Sequence, residues 1–192
     1  RFNKQSDFED EAIPTEIYRV DMRLKGSNFN PSIEKFEMAE DYNNYYLAHC
    51  PNGITNVKKF KTVKLSDVYQ NIDFVVYANN DGLVQYDFVV KPGANPNLIN
   101  FAFDGANDVI ITIDGNLKVK TPFGCVEQKA PVAYQPIDLN DYLNSRDFCP
   151  QSQIPSPQTR FTKNSDNTIS FNIANYDQSK PLIIDPPTRL WG

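Results

Sequence analysis

Two runs of β-forming residues, Ile72-Asp73-Phe74-Val75-Val76-Tyr77 and Leu83-Val84-Gln85-Tyr86-Asp87-Phe88-Val89-Val90, flank the segment Asn79-Asn80-Asp81-Gly82. Asn and Gly accept the positive φ that tight hairpin turns require, so the two runs fold back as antiparallel neighbours. Both faces of each run are largely apolar, which places the pair in the middle of a sheet and not at its edge. A second hairpin follows: Val109-Ile110-Ile111-Thr112-Ile113, then Asp114-Gly115, then Leu117-Lys118-Val119-Lys120. Two such hairpins leave little room for any class but an antiparallel β protein.

The rest of the chain keeps the same rhythm. Ile17 to Leu24 alternates, with Tyr18, Val20, Met22 and Leu24 on one side and Arg19, Asp21 and Arg23 on the other, the mark of a half-buried strand. Ile33 to Phe36, Asp41 to Leu47, Phe60 to Leu65, Leu98 to Phe103, Val126 to Tyr134, Phe161 to Lys163, Thr168 to Ile173 and Leu182 to Ile184 are further strand candidates. Pro51-Asn52-Gly53 reads as a turn. The expectation is an all-β antiparallel sandwich of roughly ten short strands with regularly spaced turns. No stretch has helical periodicity long enough for a major helix.

Three segments fall outside that pattern. Residues 1–16 are polar and acidic and read as a loose N-terminal arm. Residues 136–158 carry Pro150, Pro155 and Pro157 and read as a Pro-rich surface excursion, with a helical turn over Asp138 to Asn144. Pro186-Pro187 closes a single β domain spanning 17–186, leaving 187–192 as an exit linker.

Charge narrows the partners. The formal net charge is −5, against the basic surface that nucleic-acid binders present. The one basic cluster, Lys58, Lys59, Lys61 and Lys64, is interleaved with apolar residues, as on the solvated side of a strand. No apolar run is long enough for a membrane-spanning helix. The chain opens Arg1-Phe2 without Met, so the expectation is a processed piece whose signal peptide is not in view.

The residues for familiar chemistry are sparse. A serine-type triad needs a histidine base, and only His49 is present. Cys50 beside it is poorly placed as a nucleophile, because adjacent strand residues point to opposite sides. One His and three Cys (Cys50, Cys125, Cys149) match a zinc ligand count but lack paired-ligand spacing. Asp73 and Asp87 sit on paired strands and could form a hydrolase-type carboxylate pair. The structural alternative is that each bonds to backbone or to a neighbouring cation, because a buried lone carboxylate is costly. No cofactor is implied; the Asp-rich loops Asp104 to Asp108, Asn79 to Asp81 and Asp114 to Asn116 are where calcium would find oxygen ligands, although hairpin turns use the same residues. Tyr42, Tyr45, Tyr46 and Tyr142 are the candidate ligand-contact aromatics, with packing at the core edge as the alternative.

Taken in order, Tyr18-Arg19-Val20, Asn44-Tyr45-Tyr46-Leu47, Asp67 to Asp73, Tyr86 to Val90, Pro92-Gly93-Ala94, Ala130 to Gln135 and Pro181 to Pro186 form a recognisable series. The chain resembles, from about Tyr18 to Pro186, the N-terminal β-rich domain that precedes SBBP-type (beta-propeller-like) repeats in large secreted bacterial proteins. The resemblance implies an extracellular or cell-surface setting, a multidomain parent whose other domains are the partners, and no catalytic residues to carry over. It also implies additional strand-forming sequence upstream, and a shorter connection than residues 136–158. His49-Cys50-Pro51 fits some members, whereas Cys125 and Cys149 depart from the pattern together. That joint departure suggests a Cys125–Cys149 disulfide, worth roughly 3 kcal/mol if it closes a loop of that size. Three free thiols under denaturing conditions would refute it.

These readings converge on a non-catalytic structural or interaction module of a secreted or surface protein, with a role in adhesion by analogy. A carbohydrate-binding module and a hydrolase using paired carboxylates are the alternatives.

Overall fold

A computed structural model describes residues 17–79, 82–136, 139, 142 and 158–189. The strands among them are β1 (Asp21–Leu24), β2 (Ser32–Leu47), β3 (Cys50–Tyr69), β4 (Ile72–Ala78), β5 (Val84–Val90), β6 (Asn100–Asp104), β7 (Asp108–Ile111), β8 (Leu117–Thr121), β9 (Gly124–Gln128), β10 (Val132–Tyr134), β11 (Gln158–Lys163), β12 (Ile169–Ala174), β13 (Leu182–Asp185) and β14 (Thr188–Arg189). A short 3₁₀ turn, Pro96–Leu98, leads into β6, capped by the Asn95 side chain accepting from the Asn97 N–H. The fold is all-β, as expected.

The strands form three antiparallel sheets, in the orders β1-β6-β12-β11, β10-β13-β5-β4-β3-β2 and β14-β9-β8-β7. The expected first hairpin is β4–β5, with Ile72 opposite Val90 and Ala78 opposite Val84, and it lies inside the six-stranded sheet. The expected Asp-Gly hairpin is β7–β8, turned at Gly115 with φ +80°. The segment read as an exit begins with β14, which pairs with β9 and so belongs to the third sheet.

One face of the six-stranded sheet packs on the first sheet. Phe88 and Phe171 meet edge-to-face at 5.8 Å, and Phe171 also contacts Phe101 at 5.6 Å and Phe161 at 5.5 Å. Around this aromatic bridge Ile72, Ile99, Leu117, Ile169, Leu182 and Ile184 are fully buried. Polar clips tie the sheets together where strands end. The Tyr69 hydroxyl donates toward the Asn100 carbonyl at 2.7 Å, and Tyr86 donates to Gln128 Oε1 at 3.0 Å from the central sheet to the third. The Gln135 amide brackets the loop before β13, donating to the Asp177 carbonyl (2.7 Å) and accepting its N–H (2.9 Å).

The largest difference from the sequence reading is the β2–β3 hairpin. Short strands at Ile33–Phe36, Asp41–Leu47 and Phe60–Leu65 were expected, broken by a turn at Pro51-Asn52-Gly53. The structure instead has one continuous pair of 16- and 20-residue strands. Its turn is at Ala48-His49, with Leu47 opposite Cys50. Gly53 (φ +68°) and Asn56 (φ +59°) supply left-handed residues within the strand, where the register shifts, so the turn-forming residues serve as bulges.

Candidate functional site

Two places stand out: a carboxylate pair, one buried and one half-buried, on the far face of the six-stranded sheet, and the distal part of the β2–β3 hairpin.

Strand alternation sends Val75 and Tyr77 of β4, Asp87 and Val89 of β5, and Ile183 and Asp185 of β13 to the far face. The register that pairs Ile184 with Phe88 sets Asp185 beside Asp87 one rung on. Leu139 and Tyr142, both helical, pack over this face with Val75, Val89, Ile183, Tyr77 and Tyr134. The Tyr142 hydroxyl donates to Asp87 Oδ2 at 2.5 Å, and the Tyr77 hydroxyl lies 3.3 Å from Asp87 Oδ1. Burial, reinforced by the charge of Asp87, holds the Tyr77 hydroxyl protonated far above its ordinary range. Burial also pushes the Asp185 carboxyl up to about 6, and its Oδ1 is buried without a hydrogen-bond partner.

This pair is not the one the sequence suggested. Asp73 is held elsewhere, by Lys91 at 2.9 Å and by the Asp67 N–H at 2.8 Å. It therefore follows the structural alternative, bonding to both cation and backbone. Asp87 is 2% exposed and lies under Tyr142, itself 7% exposed. Tyr142, expected as a ligand contact with the other tyrosines, is instead a buried donor to Asp87. The remainder of 143–157, including Cys149, lies outside the described residues. Asp185 was missed because its partner is far away in sequence. The available signal was a carboxylate at the end of an otherwise apolar run, Leu182-Ile183-Ile184-Asp185.

The distal β2–β3 hairpin has the opposite character. β3 pairs with β4 only from Thr62 onward, so Cys50 to Lys61 pair with β2 alone. The result is a two-stranded ribbon extending beyond the sheet. Between residues 38 and 60 no side chain is buried. Met38, Tyr42, Tyr45, Tyr46, Leu47 and Ile54 are all exposed, Tyr46 at 72%. Three of the four expected tyrosines are thus brought together.

Alternation along β2 puts Tyr42 and Tyr46 on one side of the ribbon, and Tyr45, Leu47 and the opposed Ile54 on the other. The Tyr46 ring lies against Gly53, where an added Cβ would sit 2.8 Å from two ring carbons. The Lys58 ammonium lies 5.3 Å above the Tyr42 ring.

At the ribbon's base the charges pair across the strands: Lys59 with Asp41, Lys64 with Glu34 at 2.7 Å, and Lys61 with Glu37 at 3.9 Å. The lysine hydrogen bonds hold the Asp41 and Glu34 carboxyls below their ordinary range. Beyond that base, residues 42–57 form a run of sixteen without an Asp, Glu, Lys or Arg.

The remaining candidates are dispersed. His49 sits exposed in the ribbon turn and Cys50 beside it is half-buried. Cys125 is an exposed free thiol on the third sheet. Asp104 is engaged by Arg23, and Asp108 by Lys120 at 3.4 Å. Asn80 and Asp81 lie outside the described residues. Among the described residues no group of three or more His, Cys, Asp or Glu could hold a metal, and no helix is long and apolar enough to cross a membrane.

The model of one protein family, described as Domain of unknown function (DUF7948), matches residues 1–187. No curated protein and no solved structure matches the chain.

Proposed function

We propose that this chain, which belongs to the DUF7948 family, is a non-catalytic interaction module of a secreted or surface-displayed protein, and that the β2–β3 ribbon is its contact element. The carrying observation is the ribbon itself: an element outside the core that exposes three tyrosines and three aliphatic or thioether side chains. A two-stranded hairpin alone is marginal in water, and interfaces favour Tyr and Met while depleting charge at their centre. The uncharged Tyr- and Asn-rich tip also has the composition of a paratope, where rigid aromatics supply area and amides adapt. The secreted setting, the association with SBBP-type repeats and the adhesion role rest on the sequence resemblance. Burial of Asp87 and its hydrogen bond from Tyr142 favour a structural role for it over hydrolysis.

The test is site-specific photo-crosslinking. A photoreactive residue at Tyr46, and as a control at exposed Ile113, would be introduced into the chain and exposed to the native secreted and surface fractions. Discrete adducts from position 46, lost on Tyr42→Ala with Tyr45→Ala, are expected. Adducts arising equally from position 113, or none from position 46, would overturn the reading.

A glycan ligand is a second reading. Tyr46 is backed by Gly53 on one side of its ring and is highly exposed, the arrangement of a stacking platform. Saturable binding to a defined polysaccharide, abolished by Tyr46→Ala, would favour it.

A further inference from the structure

We infer that the ribbon's partner is a second copy of this chain, joined edge to edge along β2 about a twofold axis at Asn44. This rests on the reading of the ribbon as the contact element and adds who occupies it.

β2 is the last strand of its sheet, so its outer edge has no neighbour among the described strands over its sixteen residues. An unpaired edge of that length is a template for another strand. Its charge pattern selects which strand fits. The proximal half of β2 carries Glu34, Glu37, Glu40 and Asp41 against the single Lys35, so two proximal halves brought together gather an excess of acid. The distal half, from Tyr42 to Leu47, carries none.

Centring an antiparallel pair on Asn44 sets Tyr42 opposite the partner's Tyr46, Asn43 opposite the partner's Tyr45, and Asn44 opposite the partner's Asn44. Cross-strand aromatic pairs are among the more favourable neighbours in a sheet, and no like charges oppose each other in this register. The same patch serves both subunits, as a twofold interface requires. Two marginal two-stranded ribbons would become one four-stranded sheet, the size at which a sheet with apolar faces becomes self-supporting.

In this register the exposed Tyr42, Tyr45 and Tyr46 of each copy lie beside the shared edge, where neighbouring rings of the two copies come together.

Sedimentation velocity of the full 192-residue chain across a wide concentration range is the first measurement. A monomer–dimer equilibrium that changes little with added salt is expected, because the contact is uncharged. Tyr46→Lys alone should weaken the dimer at least tenfold. Tyr42→Glu combined with Tyr46→Lys should restore it, since the two positions oppose each other only across the twofold axis. A cysteine trap gives an independent readout. With Cys50, Cys125 and Cys149 replaced by Ser, Asn44→Cys should oxidise to a covalent dimer and Asp114→Cys should not. A monomer at every concentration, or a dimer indifferent to both ribbon variants, would overturn the inference. Adducts from Tyr46 to some other molecule would still sustain the ribbon as the contact element, so the two readings fail separately.

Discussion

Replacing Asp185 with Asn should stabilise the protein at neutral pH and change it little in acid. On folding, the affinity of the Asp185 carboxyl for its proton rises from 3.8 to about 6, because burial between β5 and β10 disfavours the charged form. The folded-state value lies above the unfolded one, so the folded protein binds more protons between these pH values, and stability falls as pH rises through that window. Below about pH 4 both states are protonated and nothing is lost; above about pH 6 the full penalty applies. The difference corresponds to about 3 kcal/mol at pH 7, an upper bound for what a neutral isostere could recover. Part of that gain is forfeited if the new amide does not find acceptors. Asp87, beside it on β5, is an acceptor within the same face, so a gain of about 1–2 kcal/mol is expected at pH 7. Urea unfolding of wild type and Asp185→Asn at pH 4 and pH 7.5 measures it directly. Equal effects at the two pH values, or destabilisation at pH 7.5, would refute desolvation as the dominant influence on this residue.

Other substitutions probe separate parts of the fold. Gly105 has φ +90°, and a Cβ there would lie 2.5 Å from the Arg19 carbonyl oxygen. Gly105→Ala should therefore cost about 2 kcal/mol or more, seen as a lowered thermal midpoint. Phe171 is 3% exposed and touches three other phenylalanines; Phe171→Ala should cost about 3–5 kcal/mol by urea unfolding. Gly53→Ala should displace Tyr46 and speed hydrogen exchange across residues 42–57 while leaving the global midpoint within about 0.5 kcal/mol, since the atoms nearest an added Cβ belong to the exposed Tyr45 and Tyr46.

The parts of the fold visible in the sequence are those set by neighbours. Asn79 to Gly82 and Asp114-Gly115 announce their hairpins because turn chemistry is local, and the alternating runs on either side set which residues face inward. The ribbon was obscured for the same reason. Pro51, Asn52 and Gly53 are strong turn formers, yet the long pairing with β2 overrides them and uses their conformational freedom as bulges. The expected Asp73–Asp87 pair failed because Lys91, immediately beyond β5, takes up Asp73. Asp87 instead neighbours Asp185, a relation set by the non-local pairing of β5 with β13. The tyrosines divided on similar grounds. Among the described residues, Tyr42, Tyr45 and Tyr46 lie on an element with no layer over it, whereas Tyr142 packs onto a sheet face whose apolar character was apparent in Val75, Val89 and Ile183.

The position of β13 has a consequence for synthesis. This strand lies between β5 and β10, and β12 joins β6 to β11, so both major sheets are completed by segments made late. Until residues 169–185 emerge from the ribosome, β5 keeps an unfilled edge and the aromatic bridge lacks Phe171. The nascent chain then presents hairpins without a closed core, a state open to wrong partners, and folding dominated by such distant pairings is slow. Truncation before β12 should therefore yield aggregates and not a smaller domain.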